Sequence, residues 1–192
     1  MNTPAHVALN LAVVPNRRWA ACGLAALLGA LLPDALMFVF YVYQKFVVGM
    51  PESLIWQQAY YAPLWQAAFD VFNSFPLILL LGLAGYWRKS IFLEALALSM
   101  LLHCMLDFPL HNDDAHRHFY PLSDWRFESP VSYWDARFFG DIFMFVELAI
   151  VVVACIVVWR SDKQTWLKYA SAACGGVYVA FLAFALHYWG SS

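Results

Sequence analysis

The sequence has little charge and no basic segment. Only 12% of its 192 residues are Asp, Glu, Lys or Arg, the formal net charge is −2, and the mean hydropathy is +0.61. About a quarter of the residues of a typical soluble domain are charged. The composition therefore excludes a soluble globular protein, and the lack of a basic patch argues against nucleic acid as a partner.

Paired cysteines and internal repeats are also missing. The four cysteines, Cys22, Cys104, Cys155 and Cys174, lie singly in apolar stretches and show no CxxC spacing. Such residues behave as small apolar side chains, which argues against a thiolate metal site. The absence of an inverted repeat argues against a transporter. We predict one integral membrane domain over residues 1–192.

Long apolar runs, in contrast, occupy most of the chain. They cover about 19–42, 64–87, 91–110, 139–160 and 166–188. About 20 apolar residues cross a bilayer as a helix. We therefore predict an all-α, polytopic membrane bundle of about five transmembrane helices. Glu147 lies mid-span in the fourth of these, where it either joins a polar site or pairs with a histidine.

A shorter apolar segment, TPAHVALNLAVVP, precedes the first span. At about 12 residues it is too short to cross a bilayer, so it either lies at the membrane interface or re-enters part-way. We expect Thr3 to cap this short N-terminal helix, with Pro4 in its first turn.

The basic residues divide unequally between the two ends of the predicted helices. Seven of the 11 fall at one end: Arg17, Arg18, Arg88, Lys89, Arg160, Lys163 and Lys168. The positive-inside rule places this end in the cytoplasm. Segment 111–138, rich in aromatic residues and prolines, is then extracytoplasmic. It is long enough to form a lid over the helix ends, although an ordinary interfacial belt has the same composition.

Ionisable side chains inside the spans converge at one depth. Each costs about 2.5–3.5 kcal/mol at a helix centre, so such residues are functional candidates. At about 1.5 Å per residue from the basic end, Asp34, His103 and Asp107 lie roughly 24, 21 and 27 Å up. Asp70 and Asn73, on the second span, lie roughly 27 and 22 Å up. We predict one polar layer in the outer half of the membrane.

Three residues of this layer have the chemistry of a metal site. His103 and Asp107, four residues apart, share a helix face, and Asp34 comes from another helix. Together they offer one cation three ligands and an open position for water, and His6 or His111 would complete the shell. Mixed His and Asp ligands suit Zn, Mn or Fe about equally; we take Zn as the first expectation.

Asp70 and Asn73 are the predicted catalytic residues. They lie three residues apart and so share a helix face. Asp70 would act as a further ligand or as general base. The alternative is that both side chains only hydrogen-bond neighbouring helices.

Several segments resemble the bacterial inner-membrane metal-dependent hydrolase family, of the LexA-regulated type. They are the short helix with His6, LLPDALMF around Asp34, the pair Asn73-Ser74, and HCMLDFPLH, which starts at His103. The resemblance covers about residues 4–120. It implies metal-site roles for four residues: His6, Asp34, His103 and Asp107.

The second helix departs from that family's pattern. Where the family commonly has His-Arg-Gly-x-Thr-His-Ser, this chain has AFDVFNS, so that Ala68 and Asn73 replace two histidines. Asparagine is a poor ligand for transition metals. Either Asp70 takes over a ligand role, or the chain binds fewer metal ions than the family it resembles.

Two functions remain as alternatives at this point. The first is a membrane-embedded hydrolase that uses metal-activated water against a lipid-borne ester or phosphoester. The second is a non-enzymatic membrane subunit or assembly factor with a structural polar or metal site. A membrane lipid is the expected partner in the first case, and a membrane protein or a second copy of the chain in the second.

Overall fold

A computed structural model describes residues 1–14 and 20–189, and the regular secondary structure of this part of the chain is all helical, without strands. The all-α prediction is confirmed. The helices are α1 (Thr3–Val13), α2 (Ala20–Val42), α3 (Glu52–Leu54), α4 (Pro63–Phe72), α5 (Phe75–Trp87), α6 (Ile91–Asp107), α7 (Gly140–Arg160) and α8 (Thr165–Trp189). Two π-helical turns, Tyr43–Val48 and Ile55–Ala59, and a 3-10 turn, Ala136–Phe138, complete the regular structure.

Four helical stretches in the described chain are long and apolar enough to cross a membrane. They are Cys22–Val48, Pro63–Trp87, Gly140–Arg160 and Thr165–His187. These stretches support a membrane protein. The remaining predicted span, 91–110, corresponds to α6, which has 17 residues and is therefore about 25 Å long. It packs against α2 and α5.

The predicted span 64–87 consists of two helices, α4 and α5. The chain leaves helical geometry at Asn73 and Ser74, where the Ser74 hydroxyl accepts a hydrogen bond from the Leu77 backbone N–H at 3.3 Å. Pro76 follows in the first turn of α5, where its missing N–H costs nothing. The serine cap and the proline favour a new helix start, while the two helices together still form one stretch of membrane-spanning length, Pro63–Trp87.

Helix α1 lies inside the bundle, packed against α2, α7 and α8. The side chains of His6 and Asn10 are fully buried. Helix α1 is therefore part of the packed core of the bundle. The predicted cap was wrong: Asn2 precedes the helix without a side-chain cap, and the Thr3 hydroxyl instead donates to Asp34.

The two basic turns described by the structure lie at one end of the bundle. Val14, Cys22, Val158 and Leu167 form one core cluster, against which Ile91 packs, so the α5–α6 and α7–α8 turns are close together. Arg17 and Arg18, on which the predicted orientation also depends, lie outside the described residues.

The outer loop, residues 108–139, folds over the opposite end of the bundle. The Arg126 guanidinium donates to Gln66 Oε1 at 3.0 Å and to the Ala115 carbonyl at 2.8 Å. Asn112 donates to the Ser129 carbonyl at 2.6 Å, which holds two parts of the loop together. These bonds place the loop above the polar residues of the bundle.

Candidate metal centre

Three buried side chains from two helices form the centre of the polar layer. One ligand atom each of His6 on α1 and of His103 and Asp107 on α6 lies within 4.8 Å of the other two. His6 Nε2 lies 2.9 Å from Asp107 Oδ1, and His103 Nε2 lies 3.0 Å from Asp107 Oδ2. The Met1 backbone nitrogen also donates to Asp107 Oδ1, at 2.5 Å. Asp107 is thus the carboxylate on which these groups converge.

The imidazole of His103 is fixed by the bond that its other nitrogen makes. Its Nδ1 lies 2.8 Å from the Ala30 carbonyl, which can only accept, so Nδ1 carries a hydrogen. In the neutral ring, Nε2 then has a lone pair that faces Asp107 and, at 3.5 Å, Asp34 Oδ1. Nε2 has no hydrogen-bond partner among the described residues. A lone pair facing two carboxylates requires a proton or a metal cation between them.

Asp34 brings the third helix, α2, to the centre. Its Oδ2 accepts the hydrogen bond from the Thr3 hydroxyl, while Oδ1 faces His103. The side chain is 14% exposed, compared with 3% for Asp107, because it forms part of a cavity wall. Asp34 therefore connects the buried histidines to space that a substrate could enter.

The donor set fits a divalent cation. Two imidazoles and carboxylates are ordinary ligands for zinc, and ligands held about 2.0–2.2 Å from one ion lie a little over 3 Å apart. The separations around Asp107, 2.9 and 3.0 Å, are hydrogen-bond distances, so a bound ion would move these atoms slightly apart. The carbonyl bond on His103 Nδ1 is the kind of outer contact that orients a ligating histidine. A cation would also neutralise carboxylates that burial otherwise makes costly.

His111, predicted as a further ligand, lies beside the three-residue group. Its Nε2 is 3.6 Å from Asp107 Oδ1, and its Nδ1 is 3.0 Å from Asp114 Oδ2. Burial alone would lower the pKa of His111, but the charges of Asp114 and Asp107 raise it to about 9. Burial would raise the pKa of Asp114, but the His111 charge and hydrogen bonds from His111 and Trp134 lower it to about 2.

Asp114 is a residue that the sequence analysis missed. It lies three residues after His111, a spacing that brings side chains together on a helical turn. This spacing could have predicted the contact between the two side chains. His116 lies close to the pair, with its ring centroid 5.6 Å from that of His111. Both residues contribute to the wall of the same cavity as Asp34.

Asp70 is held by the outer loop and is not among the three grouped ligands. It accepts hydrogen bonds from the Arg117 backbone N–H at 2.9 Å and from Arg117 Nε at 2.5 Å. His116 Nδ1 lies 3.7 Å from its Oδ1. A carboxylate paired with an arginine is a weak base, so this geometry does not support the predicted role of Asp70 as ligand or general base.

The Asp70 pairing predicts a stability effect. The Asp70→Asn variant keeps the shape of the side chain but leaves Arg117 without its buried partner. We expect it to lower the free energy of unfolding by about 1–3 kcal/mol. This loss is smaller than for a fully buried pair because Arg117 is partly exposed. Thermal unfolding in detergent measures the change. The control is Asp124→Asn, which removes the exposed partner of the same arginine and should have little effect. If Asp70→Asn instead lost metal and kept its stability, Asp70 would be a metal ligand.

Asn73 also has a structural position. Its side-chain amide donates to the carbonyls of Pro33 and Phe69 at 3.3 and 3.1 Å. Its backbone carbonyl lies 2.8 Å from His118 Nδ1. These contacts hold the end of α4 against α2 and the loop, and the structure gives Asn73 no contact with the grouped ligands.

A second group of polar residues anchors α1. Glu147, fully buried on α7, accepts from the Asn2 backbone N–H at 2.6 Å, from Asn2 Nδ2 at 2.9 Å and from the Tyr178 hydroxyl at 3.0 Å. Neither expectation for Glu147, joining the site or pairing with a histidine, holds. It fixes the start of α1 and so positions His6, one turn later.

A cavity of about 490 Å³ adjoins the centre. Its polar wall consists of Asp34, His111, Asp114 and His116. Its apolar wall comes largely from α2 and α8 and includes Leu31, Met37, Phe38, Val177 and Phe181. Phe38, Val177 and Phe181 are each about half exposed on the outer surface of these spanning helices. The cavity therefore runs from the polar cluster to an exposed apolar surface of these helices.

No protein-family model, curated protein or solved structure matches the chain.

Proposed function

We propose that the protein is a membrane-embedded, metal-dependent hydrolase that acts on a lipid-borne ester or phosphoester. One observation carries the proposal: the lone pair of a buried, oriented His103 faces two carboxylates beside a cavity that reaches lipid. Either a proton or a metal cation must lie between this nitrogen and the two carboxylates, and we propose the cation. The position of Nε2 suits a ligand that shares a cation with Asp34 and Asp107.

The proposed ligands are His6, Asp34, His103 and Asp107. Asp34 is the member exposed to the cavity, so the open side of the site would face the substrate. Zinc is the first expectation, with manganese or iron as alternatives. A divalent ion in such a site supplies a Lewis acid and a nucleophilic water at neutral pH.

His111 suits proton transfer better than a ligand role. Its Nε2 lies 3.6 Å from Asp107, outside the compact group of three. Asp114 orients the other face of the ring through Nδ1, as a carboxylate orients a catalytic histidine. His111 also belongs to the cavity wall, so it can give a proton to the leaving oxygen of a bound ester.

The cavity wall supports a lipid as substrate. A volume of about 490 Å³ is typical of small-molecule sites. An acyl or isoprenyl chain lying between α2 and α8 would contact Leu31, Phe38 and Val177, and its ester would lie next to the polar wall. A water-soluble metabolite would leave these apolar residues without a function.

We also propose a location in a bacterial inner membrane, with the basic α5–α6 and α7–α8 turns in the cytoplasm and residues 111–138 in the periplasm. The positive-inside rule supports this orientation, since both turns lie at one end of the bundle. The site would then act on the outer leaflet. The family resemblance supports the same location and chemistry, and we propose membership of that family on the same basis.

Metal content and lipid turnover test the proposal together. We expect the purified full chain to contain close to one equivalent of zinc, manganese or iron by elemental analysis. Incubation with mixed bacterial lipids should release head groups or acyl chains, detected by mass spectrometry. Chelation should abolish the release, and returning the metal found in the preparation should restore it.

Two results would contradict the proposed hydrolase function. A chain that holds no metal above background would leave a protonated His103 as the explanation for the geometry. Stoichiometric metal without turnover of any lipid, together with stable co-purification of a larger membrane complex, would identify a subunit or assembly factor with a structural metal site.

A further inference from the structure

A second cavity, of about 460 Å³, lies beside the first and has an unusual lining. Five of its residues are aromatic: Trp56, Tyr60, Tyr61, Tyr133 and Trp134. The other three are Met37, Asp113 and Asp114. Among the described residues, its wall thus combines aromatic faces with two acidic groups and contains no lysine or arginine.

This lining suits a cation. Aromatic faces attract ammonium groups, most strongly when water is excluded, and cages of aromatic residues recognise quaternary ammonium ions. The two nearby arginines make their shorter contacts with groups outside the cavity wall. Arg126 donates to Gln66 and to a backbone carbonyl, and Arg137 binds Asp135 at 2.5 Å while lying 4.0 Å from Asp113. An incoming cation would therefore meet carboxylate and ring faces.

The two cavities are contiguous. Met37, Tyr60, Asp114 and Tyr133 line both of them. Asp114 is the link to the polar cluster, because its Oδ2 accepts from Trp134 Nε1 at 3.0 Å and lies 3.0 Å from His111 Nδ1. When the cationic group of a ligand lies in the second cavity, another part of that ligand, a few bonds from the cation, would lie beside His111 and Asp34.

We propose that the aromatic cavity binds the cationic amino-alcohol head group, ethanolamine or choline, of a zwitterionic phospholipid. The lipid phosphate then lies at the polar wall of the first cavity and the hydrocarbon chains lie between α2 and α8. This inference rests on the proposed function for the placement of the phosphoester. The cation-binding cavity itself is independent of turnover.

Head-group binding by metal-depleted protein tests the inference without hydrolysis. The probes are dihexanoyl phosphatidylcholine, phosphatidylethanolamine and phosphatidylglycerol, which share their chains and differ in head group. Isothermal titration into the full chain in nanodiscs gives each affinity. We expect one or both zwitterionic lipids to bind at least tenfold more tightly than the glycerol lipid. Preference for choline alone or for ethanolamine alone would each support the cavity and would identify the amine.

Matched variants locate the effect. Trp56→Leu and Asp113→Asn should each weaken binding of the preferred zwitterionic lipid severalfold and leave the glycerol lipid unchanged. Trp125→Leu and Asp141→Asn are controls, since both residues are exposed on the outer side and neither lines this cavity. Folding of each variant is checked by its elution and thermal unfolding.

The outcomes separate this inference from the proposed function. Equal affinity for the three lipids, or unchanged selectivity in both cavity variants, would overturn the head-group site even if the holoprotein hydrolyses lipid. Selective binding that depends on Trp56 and Asp113 would support the site even if no lipid is hydrolysed, in which case only the proposed function fails.

Discussion

Replacing His103 with alanine is expected to remove the bound metal and to lower lipid hydrolysis by at least about 100-fold. Loss of an outer-shell contact alone costs 10- to 100-fold in metal affinity or activity, and loss of a ligand should cost more. His103 is the ligand whose orientation is fixed by the Ala30 carbonyl and whose Nε2 faces both Asp34 and Asp107. Elemental analysis and lipid mass spectrometry of the purified variant measure the two effects.

Two further variants distinguish metal loss from misfolding. Asp107→Asn keeps the side-chain volume and should also lose the metal, since Asp107 contacts both histidines. Ser99→Ala is the matched control. Ser99 is buried on α6, about two turns before Asp107, and its hydroxyl donates to the Ala26 carbonyl of α2. We expect Ser99→Ala to retain metal and activity. Wild-type metal content in His103→Ala and Asp107→Asn would overturn the metal centre.

Counting residues along the predicted helices placed Asp34, His103 and Asp107 at one depth, and the structure brings these three together with His6. His6, Asp34, His103 and Asp107 come from α1, α2 and α6. The count works because the rise of an α-helix per residue is constant. Apolar run lengths likewise predicted the helices at 20–42, 140–160 and 165–189 to within a few residues.

Depth alone does not give the direction in which a helix presents a side chain. Asp70 lies at a similar predicted depth, but the break after Phe72 and the outer loop place Arg117 against it. Glu147 was also predicted at this depth, and it contacts Asn2 and Tyr178 instead of a histidine. Both outcomes depend on tertiary contacts between segments more than 30 residues apart, which helical spacing cannot predict.

The outer loop was the least predictable part of the site. It has no helical period from which depth or face could be counted, and its conformation depends on single contacts such as Arg126 with Gln66. The sequence analysis assigned no role to Asp113 or Asp114. The structure places Asp114 against His111 and places both aspartates in the wall of the aromatic cavity.

Filling the apolar wall of the first cavity should discriminate between long-chain and short-chain lipids. In the Val177→Trp variant, an indole replaces a small side chain of that wall on α8. We expect hydrolysis of long-chain lipid to fall roughly tenfold or more, because overfilling a packed site costs about 1–3 kcal/mol. A dihexanoyl lipid, whose chains end before the α2–α8 opening, should be affected much less. Initial rates with both lipids measure the ratio.

Val179→Trp provides the control for this change. Val179 lies on the same helix and is exposed to a similar extent, but it does not line the cavity. The same tryptophan at that position should leave the long-chain to short-chain ratio unchanged, since its indole would project into lipid. An equal loss in both variants, or a loss that is independent of chain length at Val177, would mean that the substrate's hydrocarbon chains do not lie between α2 and α8. The polar cluster would then be reached from the outer loop, and the substrate need not be a lipid.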